Sequence, residues 1–116
     1  MNRKELKRIK KEITKNRGLT LSPTLEKVNY NKGFMVSLSS SELKLSVKDL
    51  SIKHLKQYQK LAKDKKAFIG FWLDNNTLYL DLSIRFLDES KALYFGKLNH
   101  QLAIYDLENQ KSIYLD

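Results

Sequence analysis

Apolar and polar residues alternate most regularly between Ala67 and Leu87, and that period of two predicts a β-hairpin. Asn75–Asn76 supplies a two-residue turn, because asparagine tolerates the left-handed backbone that tight hairpins require. A turn there sets Leu73 opposite Leu78, Phe71 opposite Leu80, Ile69 opposite Leu82 and Ala67 opposite Ile84. All four pairs are apolar, so this side is assigned to the core. The other side sets Trp72 opposite Tyr79, Gly70 opposite Asp81 and Phe68 opposite Ser83.

Weaker alternation marks two more strands. Phe34, Val36 and Leu38 interleave with Met35, Ser37 and Ser39, and Leu43, Leu45 and Val47 interleave with Lys44, Ser46 and Lys48. Ser39–Ser40–Ser41 reads as the turn between them. From residue 51 to 65 the period changes to that of a helix, with Ser51 as N-cap and Ile52, Leu55, Tyr58 and Ala62 inward. Asp88–Glu89–Ser90 opens another helix, whose apolar contacts are Ala92, Leu93, Phe95 and Leu98 and which closes at Asn99–His100. Leu102–Tyr105 and Ser112–Leu115 are strands joined by a turn at Glu108–Gln110. At the front, Leu6, Ile9 and Ile13 form a narrow stripe on a helix that Gly18 ends. Residues 19–33 read as a loop or short hairpin. These elements predict an α+β fold: an antiparallel sheet built from hairpins, two main helices packed on one face, and a basic N-terminal helix or arm. Residues 1–17 form the arm and 18–116 a single domain.

Charge sharpens this picture because it is segregated. The total is +9. Residues 1–18 and residues 44–66 each carry eight basic and two acidic side chains, whereas residues 67–116 carry four basic and seven acidic ones. Lys53, Lys56, Lys60 and Lys63 fall within about 80° of one another on the helix surface, away from the inward residues. No glutamate at i±4 neutralises them, so they repel one another mildly unless a partner is present. The commonest role of such a stripe is a solvated helix face; the alternative is a contact surface. The arm, with Lys7 and Lys11 on it, has the same two readings: a peripheral helix, or a segment lying on phosphate or an acidic protein face.

The chain has no cysteine, which excludes disulfides, thiolate metal sites and cysteine nucleophiles. No apolar run reaches the length of a membrane span and no signal-peptide pattern is present, so a cytoplasmic protein is expected. There is no phosphate-binding glycine loop, nucleophile elbow or paired-histidine motif. Acid–base chemistry would need His54, His100, Asp81, Asp88 or Asp106, none in a recognisable spacing, so no enzyme activity is expected. No cofactor is expected either; the one alternative is a zinc or similar ion held by His54 or His100 with carboxylates. The aromatic side of the hairpin (Phe68, Trp72, Tyr79) is read as covered by the N-terminal helix, with a protein-binding hot spot and a base-stacking platform as alternatives.

Gly18-Leu19-Thr20-Leu21-Ser22-Pro23-Thr24 and Gly33-Phe34-Met35-Val36-Ser37-Leu38 resemble the front half of a set of small proteins encoded by phages, prophages and integrative elements of Gram-positive bacteria. Gly70-Phe71-Trp72-Leu73-Asp74, Tyr79-Leu80-Asp81 and Gln101-Leu102-Ala103-Ile104-Tyr105-Asp106-Leu107 resemble its second half, so the likeness covers residues 18–116. His100 departs from the amide residue expected there, which argues against an inherited metal role. Accessory genes of this setting commonly serve defence and counter-defence, and some small basic ones are anti-CRISPR proteins. The resemblance therefore implies a non-catalytic protein that binds a host CRISPR effector nuclease of type II, or another defence protein with an acidic surface, and hinders target-DNA loading. Lys53, Lys56, Lys60, Lys63, Lys7, Lys11, Trp72 and Tyr79 are the candidate contact residues. The alternative partner is nucleic acid, bound directly by both basic blocks.

Overall fold

A computed structural model describes residues 2–39 and 41–115. Its three α-helices are α1 (Arg3–Asn16), α2 (Ile52–Lys65) and α3 (Glu89–Leu98). The strands are β1 (Gly18–Leu21), β2 (Phe34–Ser37), β3 (Leu43–Leu45), β4 (Phe68–Asp74), β5 (Thr77–Phe86), β6 (Ala103–Asp106) and β7 (Lys111–Tyr114). All join one antiparallel sheet in the order β1-β4-β5-β2-β6-β7, with β3 beside β5. The α+β architecture read from the pattern is the architecture observed.

The β4–β5 hairpin has the predicted register, with Leu73, Phe71 and Ile69 opposite Leu78, Leu80 and Leu82, and Trp72 opposite Tyr79. Asn75 takes the positive φ, 54°, at the turn. With ten residues, β5 is long enough to pair with β4 on one side and with two strands in tandem on the other.

That tandem arrangement corrects the hairpin expected at residues 34–47. Strands β2 and β3 do not pair with each other; they run end to end along β5, opposite Ser83–Phe86 and Leu78–Leu80 respectively. Between Ser37 and Leu43 the chain passes Asp81 and Leu82 of β5 without reversing (Ser40 lies outside the described residues). Ser41 holds it: its Oγ donates to the Leu38 carbonyl at 2.7 Å and accepts the Leu82 N–H at 3.1 Å. A side chain thus satisfies a backbone donor that a regular strand would meet with a carbonyl, and the strand can resume. The Tyr58 hydroxyl on α2 donates to the Ser41 carbonyl at 2.5 Å and ties Ser41 to the helix layer.

Two further expectations change at the N-terminus. The left-handed residue that ends α1 is Arg17 (φ 61°), not Gly18, and its N–H bonds the Ile13 carbonyl at 2.8 Å. Gly18 instead begins β1, which opens the segment read as a loop or short hairpin: Leu21 bridges Lys27 antiparallel and the Val28 N–H bonds the Thr20 carbonyl at 2.9 Å, while β1 lies along β4 with Gly18 opposite Trp72. Helix α1 lies over the core side. Ile9 and Ile13 are 0 % exposed and share one cluster with Leu21, Leu55, Ile69 and Leu80. Each such side chain contributes roughly 1.5–3 kcal/mol of transfer free energy. The basic N-terminal segment is therefore part of the core. Helix α3 closes the other end of the same face over Val36 and Ile104, with Phe95 against Phe86 at 5.1 Å between ring centres.

Candidate functional site

With all three helices on one side, the two faces of the molecule differ in chemistry. The helix side is basic. Helix α2 begins at a reciprocal cap, in which Ser51 accepts from the His54 N–H and His54 Nδ1 accepts from the Ser51 N–H at 3.1 Å. It then runs 14 residues, turning Leu55, Tyr58 and Ala62 inward. Lys53, Lys56, Lys60 and Lys63 are all exposed and span about 15 Å of helix. On α1, Asn2 caps the first turn through the Glu5 N–H at 3.0 Å, and Lys7 and Lys11 are exposed. Among the described residues the one salt bridge joins Lys27 to Glu12 at 3.4 Å. Among the described residues, the lysines of both helices therefore have no carboxylate within ion-pair distance.

Lys10 reaches back instead, its Nζ donating to the Lys48 carbonyl at 3.2 Å just before α2. This bond ties α1 to the short turn, Val47–Asp49, that leads into α2.

The opposite side of the sheet is open. The placement of α1 over the aromatic side of the hairpin is overturned: Ile9 and Ile13 are in the core and Trp72 is 61 % exposed. The indole lies across Gly18, where a β-carbon would come within 3.3 Å of Trp72 Cε3. Phe68 is covered differently, by Tyr30 of the loop after β1, in an edge-to-face contact with ring centres 5.6 Å apart. The Arg85 guanidinium stacks 3.9 Å from the Tyr30 ring centre and donates through Nε to the Lys32 carbonyl at 2.9 Å. Tyr79 is half-buried, with Lys44 Nζ 5.6 Å from its ring centre. Of the three aromatics, Trp72 and Tyr79 share an open cleft and Phe68 does not.

The cleft has a volume of about 540 Å³, and its walls include Trp72, Tyr79 and Tyr105, with Asp81 in its lining. Ser37 Oγ donates to Asp81 Oδ2 at 2.6 Å. Opposite, Gly70 makes room: a β-carbon there would collide with Asp81 Oδ1. Burial pushes the Asp81 carboxyl above the usual range, Glu42 adds to the rise, and bonds from Ser37 and Ser83 oppose it. Pattern reading had marked Asp81 but neither Ser37 nor Tyr105. They come from β2 and β6, strands whose neighbours only the sheet order reveals.

The remaining candidates have local roles. Asp88 caps α3 through the Lys91 N–H at 3.3 Å. Asp106 closes the β6–β7 turn, accepting from the backbone N–H groups of Glu108 and Asn109 and from Asn109 Nδ2 at 2.8 Å. The bonds from Asn109 are the main reason its carboxyl stays below the usual range. His54 is engaged in the α2 cap, and exposed His100 follows α3 in a left-handed conformation at φ 54°. Among the described residues no three histidine or carboxylate side chains gather as a metal centre would require, and no helix is long and apolar enough to cross a membrane. The chain matches no protein-family model, and no curated protein or solved structure matches it significantly.

Proposed function

We propose that this chain is a non-catalytic binding protein of a phage or mobile element, which sets its basic helix face on an acidic surface of a host defence complex. A CRISPR effector nuclease of type II is the first partner to test, by the resemblance of residues 18–116 to mobile-element accessory proteins. The observation that carries the reading is that Lys7 and Lys11 of α1 and Lys53, Lys56, Lys60 and Lys63 of α2 are exposed on one side of the sheet, with no carboxylate of the described residues pairing them. Charges left unpaired in this way steer and orient an encounter with a complementary surface. A nuclease's nucleic-acid channel is itself basic, so a basic ligand meets its acidic outer surfaces. Hindrance of target-DNA loading then follows from restraining a lobe rather than from filling the channel.

The test is co-elution of the purified protein with a type II effector–guide complex, together with target cleavage in its presence. Wild-type protein is expected to co-elute and reduce cleavage, and a Lys53/Lys56/Lys60/Lys63→Glu variant to do neither. Failure of the wild type in both assays, or an unimpaired variant, rejects the reading. Direct nucleic-acid binding is the second reading, supported by the same unpaired charge. If about six lysines meet phosphate, the logarithm of affinity should fall with the logarithm of salt at a slope near −5. A gel-shift series that shows no binding, or a flat response, removes that reading.

A further inference from the structure

On the side away from the helices, we infer that the cleft around Asp81 is a second binding site, and that its occupant is an arginine side chain presented by an extended segment of a partner protein. The inference is independent of the basic helix face. Four features of the cleft select such a ligand. An acidic group lies in it: Ser37 takes Asp81 Oδ2, and Oδ1 lies over the bare Cα of Gly70. Aromatic rings border it, with Trp72 and Tyr105 both exposed and Tyr79 beside them. Glu42 and Asp74 add negative charge at its margin. Its volume of about 540 Å³ admits a side chain and its flanking backbone.

Arginine satisfies these features together. A guanidinium is planar, forks onto a carboxylate and stacks on aromatic faces, whereas an ammonium is a tetrahedral point charge that pairs with a carboxylate without the fork or the stacking. The same side of this sheet already holds one internal example, the Arg85 guanidinium over Tyr30 at 3.9 Å. A cation seated on Asp81 would also offset the burial that disfavours its ionised form. Charge complementarity points the same way: the chain carries +9 overall, yet three carboxylates, Glu42, Asp74 and Asp81, line the cleft, against Lys44 over the Tyr79 ring and Lys27 in the adjoining hollow beside Trp72.

Trp72 is the only tryptophan, so intrinsic fluorescence reports on the cleft without labelling. The probe is a short uncharged-backbone peptide, acetyl-Gly-Arg-Gly-amide extended to two arginines, titrated beside the same peptide with citrulline for arginine. A saturable change in Trp72 emission with the arginine peptide, at least about tenfold weaker with citrulline and with Asp81→Asn protein, is the expected result. Asp81→Asn retains the shape and the Ser37 contact, and its fold is checked by circular dichroism. Equal affinity for citrulline and arginine, or unchanged affinity in Asp81→Asn, overturns the inference. So does the absence of a saturable response to millimolar peptide. Concentration-dependent self-association that Asp81→Asn abolishes would also overturn it, by making the occupant the basic helix of a second copy.

Discussion

Replacing Ile13 by alanine tests whether the basic N-terminal helix belongs to the core. Ile13 is 0 % exposed and packs in the cluster that includes Leu21, Leu55 and Ile69. The substitution removes three carbons, worth about 2.4 kcal/mol in transfer free energy alone. The cavity left behind adds to that, and measured isoleucine-to-alanine changes in cores run from about 2 to 5 kcal/mol. Alanine's better helix propensity returns a few tenths. A loss near 3 kcal/mol is expected. At about 2.1 cal/mol/K per residue, a chain of 116 residues has an unfolding entropy near 0.24 kcal/mol/K, so the melting temperature should fall by about 12 °C. The assay is thermal unfolding by circular dichroism, with urea unfolding to verify an unchanged m-value. Lys11→Ala, exposed on the same helix, is the control and should move the midpoint by no more than about 2 °C. A fall of less than about 4 °C for Ile13→Ala would refute the packing of α1 described above, because a frayed arm loses nothing when a methyl stripe is trimmed.

Further outcomes follow from individual side chains. Asp81→Asn should raise stability at neutral pH: burial raises the folded carboxyl's pKa, so the wild type's contribution is present below the usual aspartate range and is lost as pH rises through the folded value. The gap between variant and wild type, read from melts at several pH values, should close in acid; a gap that stays constant from acid to neutral pH would contradict this. Asp106→Ala has the opposite dependence. Its carboxyl is held low by the Asn109 and Glu108 bonds, so the variant should be less stable at neutral pH and the deficit should shrink as pH falls through the folded value. Lys66 ends α2 in a left-handed conformation, φ 54°, and Lys66→Gly should add about 0.5–1 kcal/mol, seen as a higher urea midpoint. Changing all four α2 stripe lysines to glutamate should leave the far-ultraviolet spectrum unaltered, since those side chains are exposed and make no ion pair within the described chain.

Local rules were sufficient for the β4–β5 hairpin, because a tight asparagine turn and a period of two fix register without reference to the rest of the chain. They were also sufficient for the inward faces of α2 and for its Ser51 cap, since helix faces and caps are set within a few residues. Three decisions lay beyond such rules. The strands at 34–37 and 43–45 alternate as hairpin partners would, and only the long edge of β5, with Ser41 standing in for a carbonyl, makes them collinear. The stripe of Leu6, Ile9 and Ile13 fits either side of a sheet, and the choice falls to the side where Leu21, Leu55 and Ile69 also need cover. The cleft draws Ser37, Gly70, Asp81 and Tyr105 from four strands, which no single stretch of sequence brings together. One signal for it was legible: a glycine directly opposite an aspartate on a strand face leaves room for a carboxylate to lie flat. The sequence by itself thus determined elements, faces and the segregation of charge, because these depend on near neighbours. Which side of the sheet the basic helices cover, and that the Asp81 cleft opens on the other, was settled in the tertiary fold, because only long-range packing determines that choice.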